Sequence, residues 1–328
     1  YANGSQWHID WEAKYETVSG DVIYVSTSGN DSANNGRSWA SAYRTVHKAF
    51  AVAEPGQQVW IAAGTYDAGV AGGYNLPSGV TVYGGFAGTE GSTAERSRTP
   101  DSDGIGASIY AHETVLSNRI DTTPTAQWVC FANQPAGAGN PCTLNGLTVG
   151  PSRQGVYCVQ SGAAVLVDCL VTGCVYAGAT ADGGGLTNAT ATACTIQNCS
   201  AGRNGGGAYL GTLTNCVLSG NSAGTGGGAH SGTLINCVLS GNSAGNGGGA
   251  YNATLTNCVL SGNSTTNGGG ARDATLTNCV LSGNSAGSLG GGAYAGTLTN
   301  CVLSGNSASS GGGAYQGTLT NCLVLHNY

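Results

Sequence analysis

Gly205-Gly206-Gly207-Ala208-Tyr209-Leu210-Gly211-Thr212-Leu213-Thr214-Asn215-Cys216-Val217-Leu218-Ser219-Gly220-Asn221-Ser222-Ala223-Gly224 is written once and then nearly repeated until Asn327. Cysteine marks the beat: Cys216, Cys237, Cys258, Cys279, Cys301 and Cys322 follow one another at steps of 21, 21, 21, 22 and 21 residues. A fixed period of this size is the mark of a solenoid, in which each repeat buries its apolar face only against its neighbours. The units are rich in Gly, Thr, Ser, Asn, Val and Cys, which disfavours helix and suits short strands joined by tight bends. The spaced leucines of a leucine-rich repeat are missing. A parallel β-helix with three short strands and three bends per coil is expected.

Two-residue alternation assigns the faces. Ala208, Leu213, Cys216 and Leu218 are expected inside, and Tyr209, Thr212, Thr214 and Val217 outside. Asn215 and its copies up to Asn321 fall at a bend, where asparagine tolerates a left-handed backbone and can bond its copies above and below. Asn221 and its copies up to Asn327 make a second such ladder. The triple glycines are expected to turn the third corner with positive φ.

A solenoid grows by stacking, so 328 residues need no second core. The expected divisions are an arm (1–20), a cap with the first coils (21–90), irregular coils with a loop excursion (91–143) and regular repeats (144–328). Charged residues are 8% of the chain, the net charge is −6 and methionine is absent. After Arg153 the only Arg or Lys residues are Arg203 and Arg272, which gives no footprint for nucleic acid or an anionic membrane. No apolar run is long enough to span a bilayer, and no signal peptide heads the chain. Its start on Tyr1 rather than Met is expected of a mature or trimmed product.

Of the 13 cysteines, Cys169, Cys194 and the six repeat positions share one place in the coil and read as a stacked ladder of buried thiols. Coil spacing is inside the Cα range of a disulfide, but the side chains run parallel and a bridge there is strained. Better disulfide candidates are Cys130 with Cys142, and Cys174 with Cys199, the latter pair at the second asparagine position of successive coils. Such bridges imply an oxidising, extracellular setting. No zinc-type spacing occurs, and neither a metal nor a cofactor is expected.

Ahead of the repeats, Trp7, His8, Trp11 and Tyr15 make an unusually aromatic arm, which packs either on its own β-helix or on a neighbouring molecule. Val22 to Val25 reads as a strand, residues 38–53 as one amphipathic helix with Ser38 as N-cap, stopped by Pro55-Gly56, and Val59 to Tyr66 as a strand. One helix ahead of a β-solenoid is expected of a cap, because an open first coil exposes core and strand edge.

The series Ile23-Tyr24-Val25, Gly29-Asn30-Asp31, Gly36-Arg37-Ser38-Trp39, Ala62-Ala63-Gly64-Thr65-Tyr66 and Tyr83-Gly84-Gly85-Phe86-Ala87-Gly88-Thr89-Glu90 resembles the opening of bacterial extracellular right-handed parallel β-helix proteins of the pectate-lyase-like superfamily. The Gly-Gly-Ala and Asn-Ser-Ala repeats are similar to those of polymorphic outer-membrane and adhesin-like proteins. The resemblance implies a right-handed parallel β-helix outside the cell. It names no activity, because that coil carries lyases, hydrolases, adhesins and plain stalks.

Proton abstraction or glycoside hydrolysis needs paired titratable groups within reach of one substrate. The regular repeats are poor in them. Chemistry, if present, belongs near Asp101, Asp103, His112, Glu113, Arg119 and Asp121, which read more simply as a solvated loop. No catalytic residue is assigned.

Tyr209, His230, Tyr251, Arg272, Tyr294 and Tyr315 share one outward coil position and form a stripe about 25 Å long at ~4.8 Å per coil. Such a row either stacks sugars, docks a partner or simply packs on itself. Thr-x-Thr pairs from Thr212/Thr214 to Thr318/Thr320, with the lapse Thr233/Ile235, make a flat array similar to the ice-binding faces of some β-solenoids. Outward Val217 and its copies add an apolar strip. The last residues stop in mid-repeat, so continuation of the chain or a covering neighbour is expected, with Trp7, Trp11 and Tyr15 as the covering piece. Head-to-tail contact of that kind propagates into a filament.

The expectation from sequence is an all-β, right-handed parallel β-helix with a helical N-terminal cap. Its expected role is a non-catalytic, secreted or surface-bound structural protein, a fibre or adhesin-like stalk assembling end to end with copies of itself. The alternatives are a carbohydrate-active protein, either a polysaccharide lyase or a glycan-binding β-helix, and an ice-binding solenoid.

Overall fold

Each regular coil turns four corners, and a residue with left-handed backbone stands at every one. In the coil that begins at Ala208 these are Leu210, Asn215, Gly220 and Gly226, with φ of 56°, 53°, 63° and 62°. Between them run Ala208–Tyr209, Thr212–Thr214, Val217–Ser219 and Ser222–Thr225. The computed structural model describes residues 21–69, 72–99, 109–118, 128–133 and 140–328.

Stacking the coils gives parallel sheets. The first runs over 12 strands from Val22–Val25 to Thr318–Thr320, and the second over 11 from Gly64–Asp67 to Leu323–Leu325. The third has 10 strands from Tyr74–Asn75 to Ala314–Tyr315, and the fourth 7 from Val175–Tyr176 to Ser307–Ser310. The expected three strands per coil thus become four from Val175 onward. Ser222–Thr225 is the strand the sequence concealed, because Ser-Ala-Gly-Thr has neither alternation nor β-branched bulk at its start. The step of 22 is absorbed on this side: in Ser285–Leu289 the register shifts so that Asn267 pairs with Leu289.

The interior follows the expected alternation. Leu213, Cys216 and Leu218 are fully buried, as are their copies as far as Leu298, Cys301 and Leu303, and Thr212 stays exposed. Burying each leucine is worth roughly 1.5–3 kcal/mol. Inside the third corner runs a column of amides. Asn221 Nδ2 donates to Asn242 Oδ1 at 3.1 Å, and the same relation carries on through Asn263, Asn284 and Asn306 to Asn327. Each of these amides also donates to a leucine or isoleucine carbonyl, so the buried polar line is satisfied along its length. The outer ladder forms as expected, Asn236 Nδ2 donating to Asn215 Oδ1 at 3.1 Å.

The triple glycines need correction. Only the first, such as Gly205, has positive φ. The second is there because a Cβ on Gly206 would sit 2.3 Å from the Ser222 carbonyl oxygen and 2.6 Å from that of Gly227.

The single helix expected over residues 38–53 is two elements. Ser38 does cap, but it caps a 3-10 turn, Trp39–Ser41. The backbone then extends: Tyr43 N–H donates to the Tyr24 carbonyl, and Tyr43 bridges Val25. α1 (Val46–Val52) starts afresh with Thr45 as N-cap. Asp31 fixes the break, accepting from Arg44 N, Thr45 N and Thr45 Oγ1 at 2.7, 3.1 and 2.7 Å. The second strand also divides, into Gln58–Ala62 and Gly64–Asp67.

The expected excursion includes an antiparallel pair, Arg98–Thr99 with Ile109–Tyr110. Arg96 ties it down. Buried to 5% exposure, its guanidinium lies over Tyr83, Phe86 and Tyr110 and donates to the Gly84 carbonyl and Asn145 Oδ1 at 3.0 Å.

Candidate functional site

Strand register on the third sheet sets which residues form the aromatic stripe. Tyr209 pairs with His230, His230 with Tyr251, Tyr251 with Arg272, Arg272 with Tyr294 and Tyr294 with Tyr315. All six are half-buried. The column also extends backward: Tyr209 pairs with Thr187, Thr187 with Tyr157 and Tyr157 with Phe131. Trp128, Phe131 and Tyr157 stack at 4.7 to 6.0 Å. Sequence reasoning missed Phe131 and Tyr157 because their coils do not share the repeat text and only the register reveals them; Trp128, whose register partner is Gln154, joins them by stacking.

Within the column the rings face each other. His230 and Tyr251 stack at 5.0 Å and 19°, and Tyr294 and Tyr315 at 5.9 Å and 8°. Arg272 fills the rung between, its guanidinium 5.7 Å from the Tyr251 ring and 4.8 Å from that of Tyr294. It also donates to Asn246 Oδ1 and Asp273 Oδ2. Burial lowers the His230 pKa, so the ring is neutral near pH 7 and suited to stacking. Tyr209 and His230 meet at 5.4 Å with their planes tilted by 46°.

The carboxylates of the regular coils are each committed to a cation or hydroxyl. Asp168 accepts from Tyr110 Oη at 2.6 Å and lies 3.6 Å from Arg98. Asp182 accepts from Arg203 Nε at 2.8 Å, and Asp273 from Arg272 Nε at 3.2 Å. Asp182 and Asp273 stand four coils apart, roughly 19 Å at ~4.8 Å per coil, well beyond the spacing of a glycosidase pair. Glu113 is exposed and accepts from Thr148 Oγ1 at 2.8 Å, and His112 is half-buried beside it in sequence. Asp101, Asp103, Arg119 and Asp121 lie outside the described residues, as do Trp7, Trp11 and Tyr15 of the arm.

All 13 cysteines are free thiols, and Cys130, Cys142, Cys174 and Cys199 are among the buried ones. Cys174 and Cys199 do occupy the inner amide position of their coils: Cys199 N–H donates to Asn221 Oδ1 at 3.0 Å. Among the described residues no cluster of three or more His, Cys, Asp or Glu is arranged to hold a metal, and no helix is long and apolar enough to cross a membrane.

On the first sheet, two in-register columns run from Thr190 to Thr318 and from Thr192 to Thr320, threonine throughout except Ile235. The outer column is exposed from Thr212 onward.

Several solved structures align with this chain over most of its length. The A-module of the Azotobacter vinelandii mannuronan C-5 epimerase AlgE4 aligns over 86% of this chain and 90% of its own, with a TM-score of 0.46 and 14% identity. The pectate lyase Pel9A aligns over 92% and 78%, with a TM-score of 0.43 and 12% identity. The tailspike gp49 of Acinetobacter baumannii bacteriophage Fri1, a capsular polysaccharide depolymerase, aligns over 94% and 58%, with a TM-score of 0.44 and 14% identity. No functional residue is carried over from them. No curated protein matches the sequence. Residues 27–308 match the family model described as "Protein of unknown function (DUF1565)".

Proposed function

The chain belongs to this DUF1565 family, and on that premise we propose that it is a non-catalytic, secreted or surface-exposed rod, an adhesin-like stalk that sets distance rather than transforms a substrate. The observation that carries this reading is that the polar and aromatic side chains of the repeats are directed at their own copies. Amide bonds amide, tyrosine stacks on histidine or tyrosine, and the few carboxylates of the repeats are paired with arginine or tyrosine. At ~4.8 Å per coil, 11 coils give a rod of roughly 50 Å. Assembly end to end through Trp7, Trp11 and Tyr15 is part of the proposal. Electron microscopy of the purified chain tests both parts: dispersed rods support the stalk alone, fibres support the stalk and its assembly, and cleavage of any acidic or neutral polysaccharide by the same preparation overturns the reading.

A second reading draws on the threonine columns, whose hydroxyls from Thr212 to Thr318 make no hydrogen bond to the protein among the described residues. A flat, uncharged, regularly spaced hydroxyl and methyl array suits ordered water, and thermal hysteresis of the chain tests it.

A further inference from the structure

Away from the rod's repeats, a half-open cavity of about 230 Å³ lies between α1 and the first coils, with Thr27, Arg44, His47, Thr65, Tyr66 and Asp67 in its lining. No motif points to it, because its walls come from segments far apart in the text.

The pieces are held firmly. Asp31 and Thr45 fix the start of α1, as described above, and this sets His47. Its ring packs on Tyr74 at 4.6 Å, and Tyr74 is itself only 1% exposed. His47 Nε2 is buried and has no hydrogen-bond partner. A buried ring nitrogen left unpaired is unfavourable, and an incoming group that can pair with it removes the cost. Opposite chemistry is close by. Asp67 accepts from Gly69 N at 2.8 Å and Ser117 Oγ at 3.2 Å while its side chain stays exposed. Arg44 is exposed and has no ion pair among the described residues.

These groups narrow the ligand. A guanidinium only donates, a carboxylate only accepts, and imidazole and hydroxyl do either. A purely anionic ligand meets Asp67, and a purely cationic one meets Arg44. A hydroxyl serves both neighbours, and the carbon side of a sugar ring suits the apolar walls of Val46, Tyr66 and Tyr74. The volume is below the roughly 300–1,000 Å³ of pockets for drug-sized ligands, which limits the occupant to about one ring. We propose that this cavity binds a single sugar-sized polyol, with His47 Nε2, Arg44 and Asp67 hydrogen-bonding its hydroxyls. The proposal is independent of the stalk reading and of the tyrosine column.

The test follows the imidazole nitrogens of the full chain by 15N NMR during titration with glucose, galactose, xylose and N-acetylglucosamine, with inorganic phosphate as a separate arm. At least one sugar is expected to shift His47 Nε2 and leave His230 unmoved. His47→Phe keeps a ring on Tyr74 without the nitrogen, and is expected to weaken that sugar at least tenfold. Asp67→Asn provides the same comparison on the exposed side should His47→Phe not fold. No shift with any of the four sugars, a shift with phosphate alone, or unchanged sugar affinity in both variants overturns the proposal.

Discussion

Asn263 Oδ1 accepts two hydrogen bonds from Asn242, one from its backbone N–H and one from its Nδ2, each at 3.0 Å. One side chain therefore holds both the backbone and the amide of the coil before it, inside the core. Asn263→Leu leaves both of those donors unpaired, each at about 1–3 kcal/mol. A loss of at least about 2 kcal/mol is expected in urea unfolding. The outer ladder gives the contrast: Asn257→Gly, which removes only an exposed amide at a left-handed corner, should stay within about 1 kcal/mol of the parent.

The first corner is a place to gain stability. Ala295 and Leu210 sit at φ of 51° and 56°, a conformation that costs an ordinary residue roughly 1–2 kcal/mol. Ala295→Gly relieves it at a smaller entropic cost in the unfolded chain. Its melting temperature should rise, and a fall would show that the corner is not left-handed.

Two glycine-to-alanine changes separate room from backbone. A Cβ on Gly248 would meet the Ser264 carbonyl oxygen at 2.5 Å and that of Gly269 at 2.6 Å, whereas Gly262 has nothing within 4 Å and a φ of 61°. Gly248→Ala forces coils apart and should cost about 3 kcal/mol or more. Gly262→Ala should cost only about 1–2 kcal/mol, so circular dichroism melts of the pair should differ clearly.

The thiols make stability depend on pH in the alkaline range. Contact with Cys237, together with burial, holds the Cys258 thiol up to about 12, and burial does the same for Cys158, against an ordinary value of 9.0. Unfolding frees them to ionise, so above pH 9 the unfolded chain binds fewer protons than the folded one. Their contribution is intact below about pH 9 and is lost as pH rises toward about 12. Urea midpoints should fall between about pH 8 and pH 10.5, and Cys158→Ala with Cys258→Ala should flatten that fall. Under native conditions Cys322, the one thiol that is not fully buried, should be alkylated first.

Arg272 joins the two halves of the tyrosine column. Arg272→Ala removes its contacts with Tyr251 and Tyr294 and its bonds to Asn246 and Asp273. At about 0.5–1 kcal/mol per exposed cation–π contact, a loss of about 1–2 kcal/mol is expected in thermal unfolding.

Much of this architecture is legible in the text because repetition converts a weak local pattern into a strong one. Leu213, Cys216 and Leu218 alternate only briefly, but their alternation recurs in every coil. Asn215 was readable as a left-handed corner for the same reason. Ser222–Thr225 was not, since its pairing comes from the coils on either side and not from its own residues. Phe131 and Tyr157 belong to the column by register alone. His47 and Asp67 lie on different elements, and no spacing rule brings an imidazole from α1 to a carboxylate at the end of a strand. The split of residues 38–53 turns on Asp31, whose carboxylate competes for the N–H groups of Arg44 and Thr45.

The extra residue in Ser285–Leu289 has a consequence for how such a chain changes in length. It displaces one edge of one coil, while the amide column passes from Asn284 to Asn306 at an unchanged 2.9 Å. Three sides of the coil are typeset letter for letter, and the fourth works as a margin. Insertions written there leave the spine in register, so the molecule can be lengthened by copying whole coils and individualised by small edits on a single side.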